Sequence, residues 1–130
     1  MSFLWDGKRN TNTSSPFLFA LEVLDILERT FQSRLIKRIK KELPGCMVLK
    51  TDPNYCQGLP DLLILYGDRW AALENKRSVS AKHQPNQDYY IQKMNGMSWA
   101  RFVYPENERE VIYELRQALG AERDSCVSEP

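Results

Sequence analysis

The dipeptide Gly67-Asp68 separates two apolar runs, residues 62–66 and 70–73. Glycine at the first position of a two-residue loop predicts a β-hairpin with a type II′ turn. A tight turn fixes the register of the two strands, and in this register Asp61 faces Glu74. A four-residue loop centred on the same dipeptide gives the same register, whereas a three-residue loop does not. The hairpin therefore decides which side chains meet on one face.

The predicted register places two acids and a lysine together. Directly opposed residues point to the same face with Cβ atoms about 4.5–5.5 Å apart, so Asp61 and Glu74 form a carboxylate pair. Lys76 follows Glu74 by two residues and shares that face. A divalent cation offsets the repulsion of such a pair, and Mg²⁺ and Mn²⁺ prefer carboxylate and carbonyl oxygens. We therefore predict a Mg²⁺ or Mn²⁺ site formed by Asp61, Glu74 and the backbone carbonyl of Asn75.

Three interpretations of this cluster follow from its chemistry. A bound cation activates water for phosphodiester hydrolysis, while Lys76 orients or deprotonates that water or holds the phosphate. A carboxylate pair at this spacing also suits retaining glycoside cleavage, which needs a sugar-binding groove that a chain of 130 residues can barely supply. The third interpretation is a solvated charge lattice on the sheet surface, with no chemistry.

Helical periodicity covers most of the remaining chain. The first helix ends before Pro44-Gly45, and a second runs from Pro85 to about Asn95-Gly96. A third covers residues 107–119, with a capping box of Asn107 and Glu110 and with Gly120 as its C-cap. The first helix has an apolar stripe that consists of Leu24, Leu27, Phe31, Leu35, Ile36, Ile39 and Leu43.

Strands at residues 46–50 and 99–104 complete an α-β-β-β-α-β-α order. This order predicts an α/β fold with a mixed sheet flanked by helices. The length suits one domain, which we place at residues 17–120. Residues 1–16 lack periodicity and are expected to form a flexible N-terminal arm, and residues 121–130 a frayed C-terminal tail.

Composition excludes several classes of protein. No apolar run approaches the ~20 residues that cross a bilayer, so no membrane partner is expected. The three cysteines form no CxxC pair and His83 is the sole histidine, which argues against a zinc site. An odd number of cysteines without a signal peptide favours reduced thiols and a cytoplasmic location.

Net charge is only +1, so bulk charge alone does not indicate nucleic-acid binding. The basic residues are nevertheless clustered, late in the first helix and after Lys76, where they either contact DNA phosphates or form a solvated face. The DNA-contact candidates are Lys37, Lys41, Arg77, Lys82 and His83.

Two polar residues lie on predicted inward-facing helix surfaces. Glu28 precedes Phe31 on the stripe of the first helix, where a charge is costly unless it is paired or bound to metal. It either binds the cation, reaches solvent or meets an arginine. Gln87 lies on the inward side of the second helix and either contacts a water or phosphate or bonds to free backbone groups of the first turn.

The segment Leu59-Pro60-Asp61, followed after twelve residues by Glu74-Asn75-Lys76, resembles the PD-(D/E)xK nuclease motif. Around this motif, Glu28 and Phe31-Gln32 lie in a leading helix, Gly58 precedes the Pro-Asp pair and Gln87 begins the next helix. This context is similar to the virus-type replication-repair nuclease branch. The similarity spans about residues 25–104.

The resemblance implies a restriction-endonuclease-like core, Mg²⁺ or Mn²⁺ dependence and hydrolysis of DNA phosphodiesters. By position, Asp61 and Glu74 are metal ligands and Lys76 is the catalytic lysine. Glu28 corresponds to the acid of the first helix and Gln87 to the catalytic glutamine of the second, with Gln84 as a rival. Stand-alone members are often phage-encoded and related to dimeric Holliday-junction resolvases, which implies a homodimer in the host cytoplasm that acts on branched DNA.

Two other functions are compatible with the sequence. One is a DNA-binding module that retains the nuclease fold without cutting, although it has no need of mutually repelling acids. The other is an interaction protein that uses Trp99, Phe102, Tyr104 and the last helix as a partner surface, against which alternation along the strand favours core packing.

Overall fold

The computed structural model describes residues 15–121, in which seven elements follow one another. They are α1 (Pro16–Glu42), β1 (Met47–Lys50), β2 (Leu62–Tyr66), β3 (Arg69–Asn75), α2 (Pro85–Met97), β4 (Ala100–Val103) and α3 (Glu108–Ala118). The strands form one sheet in the order β1-β2-β3-β4. β1, β2 and β3 pair antiparallel, and β3 pairs parallel with β4. The predicted α/β class with a mixed sheet is confirmed.

The predicted hairpin register is confirmed. β2 and β3 are joined by Gly67 and Asp68 alone, with Tyr66 opposite Arg69 and Leu62 opposite Leu73. Gly67 has φ 63°, and no residue other than glycine has a positive φ in the described range. A positive φ at the first central position only is that of a type II′ turn.

The sheet has a different helical cover on each face. α1 and α3 pack on one face, where their largest buried side chains, Leu35, Ile39 and Leu115, meet Ile64 and Leu73 of the strands. On the opposite face, α2 places Ile91 against Ala72 and Ala100. Trp99 and Phe102 are partly buried and pack against the two core clusters, in line with the core packing that alternation along the strand favours.

The apolar stripe of α1 continues into the core only in the second half of the helix. Phe31, Leu35 and Ile39 are buried as predicted, but Leu27 is half exposed. A helix of 27 residues is about 40 Å long, whereas the seven residues of β3 span about 23 Å. The N-terminal part of α1 therefore runs beyond the sheet and leaves large apolar side chains such as Phe17 and Phe19 exposed.

Several predicted boundaries are wrong by one or two residues. α1 begins at Pro16, within the predicted arm, because the Ser15 side chain accepts the Leu18 N–H at its N-terminus. β1 and β4 are shorter than predicted at their ends. Ala121 is buried. The rest of the predicted arm and tail, residues 1–14 and 122–130, lies outside the described residues.

Two predicted helix ends also differ from the structure. α2 continues through Gly96 to Met97, because the Ser98 N–H still closes the last turn on Met94. The predicted capping box of α3 is wrong. The Asn107 side chain instead accepts the Tyr104 N–H and donates to the Phe102 carbonyl, which ties the end of β4 to the helix.

In the described part of the chain, no helix is both long enough and apolar enough to cross a membrane.

Candidate active site

The antiparallel hairpin brings the start of β2 next to the end of β3. Asp61 directly precedes β2, and its N–H donates to Glu74 Oε1 at 3.1 Å. In return, the Asn75 N–H donates to Asp61 Oδ2 at 3.1 Å. Each carboxylate is thus fixed by the main chain of the other strand, and the two predicted metal ligands lie side by side.

Pro60 interrupts the strand ladder at this point. The Lys76 N–H bonds to Val103 on the β4 side, and since backbone groups alternate along a strand, those of Asn75 face β2. The β2–β3 pairing ends at Leu62 and Leu73; the same register extended by two residues places Pro60 opposite Asn75, and proline has no N–H to donate. The Asn75 carbonyl therefore has no strand amide opposite it, beside the two carboxylates, where the sequence predicts a metal ligand.

Lys76 extends from the end of β3 into the same cluster. Its side chain is only 8% exposed, and its Nζ lies 3.9 Å from Glu74 Oε2. The ammonium also donates to the Lys82 carbonyl at 3.2 Å and to Gln87 Oε1 at 2.6 Å. A buried ammonium with these partners is held in one position next to the carboxylate pair.

Gln87, in the first turn of α2, connects the acid and the lysine. Its Oε1 accepts from Lys76 and from the Gln84 N–H, and its Nε2 donates to Glu74 Oε2 at 2.8 Å. The bond to the Gln84 N–H is the backbone role that the sequence offered, and the same amide also joins Glu74 and Lys76. The contact with a water or phosphate stays a prediction. Between the two rival glutamines, it is Gln87 and not Gln84 whose side chain enters the cluster.

The electrostatics of the pair favour a cation. Burial raises the pKa of Asp61 from 3.8 to about 6, with a further increase from the charge of Glu28. Burial and then the neighbouring Asp61 raise the pKa of Glu74 from 4.5 to about 8, although Lys76 opposes the change. Within residues 15–121, Asp61 Oδ1 has no hydrogen-bond partner. The donor set thus fits a hard divalent ion, with two carboxylates and a carbonyl that lacks its ladder donor.

Glu28 lies at the margin of the cluster. Its charge affects both carboxylates of the pair, and burial raises its own pKa while Lys76 and Arg77 oppose this. Over the described residues, however, no three Asp, Glu, His or Cys side chains converge closely enough to hold an ion together. The structure therefore brings Asp61, Glu74, Lys76 and Gln87 into contact and leaves Glu28 beside them.

Gln32 supports the site from α1, a role that the sequence patterns above do not predict. The Asn75 side chain points away from the carboxylates, and its Oδ1 accepts from Gln32 Nε2 at 2.7 Å. Asn75 is 2% exposed, so this bond satisfies a buried carbonyl. The signal in the sequence is that Gln32 follows Glu28 by one helical turn and lies on the same inward surface.

The predicted DNA-contact residues fall into two groups. Arg77 directly follows Lys76, and Lys82, whose carbonyl binds that lysine, has an exposed side chain. The His83 ring is stacked on Phe102 at 4.0 Å and bonded to Asp88. Lys37 and Lys41 are exposed on α1, about 13 Å and 20 Å along the helix from Glu28 and on its opposite surface. The structure does not bring these two to the site.

The burial of the cluster argues against a solvated charge lattice. With the main chain included, Glu74 is 3% exposed and Lys76 is 6% exposed. Charged groups are rarely buried unless they are paired or bind an ion. No family model, curated protein or solved structure gives a significant match to this chain.

Proposed function

We propose that the protein is a metal-dependent DNA endonuclease that hydrolyses phosphodiester bonds. The observation that carries the proposal is the packing of the half-buried Asp61 against the buried Glu74, with Lys76 held at 3.9 Å from Glu74. Removal from water raises the pKa of both carboxyl groups, and the charge of Asp61 raises that of Glu74 further. The ionised pair therefore destabilises the fold unless something of opposite charge joins it. A site that keeps such a pair despite this cost in folding stability is more readily explained by a chemical function of the two carboxylates than by a contribution to folding.

In this proposal, Mg²⁺ or Mn²⁺ is held by Asp61, Glu74 and the Asn75 carbonyl. When bound, such an ion supplies Lewis-acid activation of a phosphodiester and of water. Glu28 is proposed as an additional acid at the margin of the metal site, because its charge raises the pKa of both carboxyl groups. Asp61 Oδ1 also supports a metal site here, because it is the one carboxylate oxygen of the pair without a hydrogen bond among the described residues.

Lys76 acts on the substrate side of the site. Two of its three N–H groups are bonded to Gln87 and to the Lys82 carbonyl, which leaves one for a phosphate oxygen or an attacking water. Hydrolysis adds the water oxygen to phosphorus, breaks one P–O bond and passes a proton to the departing oxygen. Gln87 is proposed to position Lys76 for this step, while Arg77 and Lys82 are proposed to bind flanking phosphates.

The element order and the position of the cluster at the sheet end also support the proposed restriction-endonuclease-like core. The preference for branched DNA, the homodimer and the cytoplasmic location stay predictions of the family resemblance. The exposed apolar residues in the first half of α1 provide a surface that a homodimer could bury. Sedimentation of the protein at micromolar concentration tests the oligomeric state directly.

The test of the proposed activity is cleavage of branched, nicked and linear DNA with Mg²⁺ or Mn²⁺. We expect cleavage by the wild type and a loss of more than about 100-fold in Asp61→Asn, since metal ligands contribute at least as much as the groups that orient them. Asp68→Asn is the matched control, because Asp68 is an exposed carboxylate in the same hairpin. Equal cleavage by Asp61→Asn and the wild type would exclude the proposed site. Salt-sensitive binding without any cleavage would instead support a DNA-binding module.

A further inference from the structure

A pocket opens next to the candidate active site, between the loop at residues 52–58 and the start of α2. Its volume is about 450 Å³, within the range of about 300–1,000 Å³ that is usual for small-ligand sites. Gln87 lines the pocket and also bonds to Lys76 and Glu74. A ligand group that contacts Gln87 in this pocket is therefore separated from the carboxylate pair by that one side chain.

The walls of the pocket are neutral and rich in carboxamides. Its lining residues are Pro53, Gln57, Gly58, Gln84, Pro85, Asn86 and Gln87, none of which is charged. Side chains of Asn and Gln present a donor and an acceptor together and form paired hydrogen bonds with base edges. Without a charged group, the pocket suits an uncharged nucleobase better than a phosphate.

The loop that forms one wall is fastened to α2 at two points. Cys56 Sγ lies 3.3 Å from the Tyr90 hydroxyl, with which it is hydrogen-bonded. Gly58, at φ +94°, approaches Asn86 so closely that an added Cβ would lie 2.3 Å from the Asn86 Cβ. Both contacts join loop and helix without a ligand, so the pocket is preformed and binding need not order it.

Exposed aromatic and basic side chains lie on the same two elements. Tyr55, in the loop, is 87% exposed, and Tyr89, one turn after Asn86, is 55% exposed. Lys93 lies over the Tyr89 ring at 5.8 Å. Aromatic side chains beside a basic group are the features on which unpaired nucleotides stack, because every base has a π face. A paired base has its Watson–Crick edge occupied and its faces stacked, so it cannot enter such a pocket.

We propose that this pocket binds an unpaired nucleobase of the DNA substrate, with Gln57 and Asn86 forming hydrogen bonds to its edge. The inference rests on the proposed function for the identity of the ligand. It adds the substrate feature that the site recognises, a base outside the duplex next to the bond to be cut. The prolines contact the base surface, and Tyr55 and Tyr89 stack on neighbouring bases.

The test is a binding experiment in EDTA, where metal-dependent cleavage does not interfere. Fluorescein-labelled duplexes carry one unpaired nucleotide as a bulge, a 3′ overhang or a 5′ overhang, and each is matched to a duplex whose unpaired nucleotide is abasic. We expect at least one geometry to bind about 10-fold more tightly with the base than without it. In the Gln57→Ala/Asn86→Ala double variant this ratio falls to within about two-fold, because both edge contacts are removed.

The matched control is Gln92→Ala, which removes an exposed carboxamide of α2 away from the pocket and should keep the wild-type ratio. A wild-type ratio near one for all three geometries would overturn the proposal, as would a ratio that the double variant preserves. Cleavage with Mn²⁺ is measured in parallel. Base preference without cleavage supports the pocket and contradicts the nuclease, whereas cleavage without base preference supports the nuclease and contradicts the pocket.

Discussion

Lys76 Nζ donates a hydrogen bond of 2.6 Å to Gln87 Oε1. The other end of the same amide, Nε2, donates to Glu74 Oε2 at 2.8 Å. Because an ammonium only donates and a carboxylate only accepts, the orientation of the Gln87 amide is fixed by its two partners. One side chain of α2 therefore sets the relative positions of an acid and a lysine on β3.

Removal of this bridge should impair cleavage more than binding. We expect Gln87→Ala to lower kcat by about 10- to 100-fold with little change in KM, because Lys76 and Glu74 lose a positioning group while phosphate contacts remain. Steady-state kinetics on a cleaved DNA substrate measure both constants. Gln92→Ala, on the exposed surface of the same helix, should behave as the wild type. A Gln87→Ala variant with unchanged kcat would show that the bridge is not needed for the reaction.

The bond between Gln32 and Asn75 should matter for stability. Gln32→Ala leaves Asn75 Oδ1 buried without its 2.7 Å donor, which costs about 1–3 kcal/mol. Urea unfolding of Gln32→Ala, Asn75→Ala and the double variant forms a double-mutant cycle. We expect the double variant to lose less than the two single variants combined. The neighbouring Ser33→Ala, at an exposed position, is the control and should change little; strictly additive losses would argue against the bond.

The hairpin illustrates how much of this fold can be predicted from local chemistry. Gly67-Asp68 specifies a two-residue turn, and the turn specifies which residues face each other, so the pairing of Leu62 with Leu73 followed without any tertiary information. The position of Asp61 beside Glu74 followed from the same register. Short-range rules suffice here because turn geometry and strand register are coupled.

Contacts between segments that are distant in the sequence could not be predicted in the same way. Leu27 has the periodicity of a core residue but lies on the part of α1 that extends beyond the sheet, and helix periodicity does not reveal the length of the surface it packs on. Asn107 has the sequence context of a capping box, but the end of β4 provides its side chain with two other partners. The bond of Gln32 to Asn75 joins positions 43 residues apart, which no local pattern specifies.

Two glycines in the left-handed region, Gly45 and Gly58, allow the energetic effect of the close approach between the loop at residues 52–58 and α2 to be measured. Gly45 has φ +91° and no atom within 4 Å of an added Cβ, whereas Gly58 has φ +94° and the Asn86 Cβ at 2.3 Å. Gly45→Ala should therefore cost about 1–2 kcal/mol for the backbone alone. Gly58→Ala should cost about 1–3 kcal/mol more, because of overpacking. The Gly58→Ala/Asn86→Gly variant should recover part of the difference in urea unfolding; equal losses at the two glycines would exclude the clash.

The carboxylate pair should make the metal-free protein less stable as the pH rises. The pKa of Glu74 is about 8 in the folded protein against an ordinary value of 4.5, so its ionised form is disfavoured by folding. A carboxyl group whose pKa is raised contributes its stability in full below the ordinary value and loses it as the pH increases through the folded value. Between about pH 4.5 and 8 in EDTA, Glu74→Gln should therefore gain stability relative to the wild type, by at least about 4 °C in Tm at the upper end.

The same thermal scans test the metal site without any assay of activity. Mn²⁺ that binds the folded state should raise the Tm of the wild type at pH 8, and more so as its concentration increases. Glu74→Gln should lose most of this increase, because it has one carboxylate fewer for the ion. Glu110→Gln, which changes an exposed carboxylate of α3, should follow the wild type in both measurements. If Mn²⁺ stabilised wild type and Glu74→Gln equally, the carboxylate pair would not be where the ion binds.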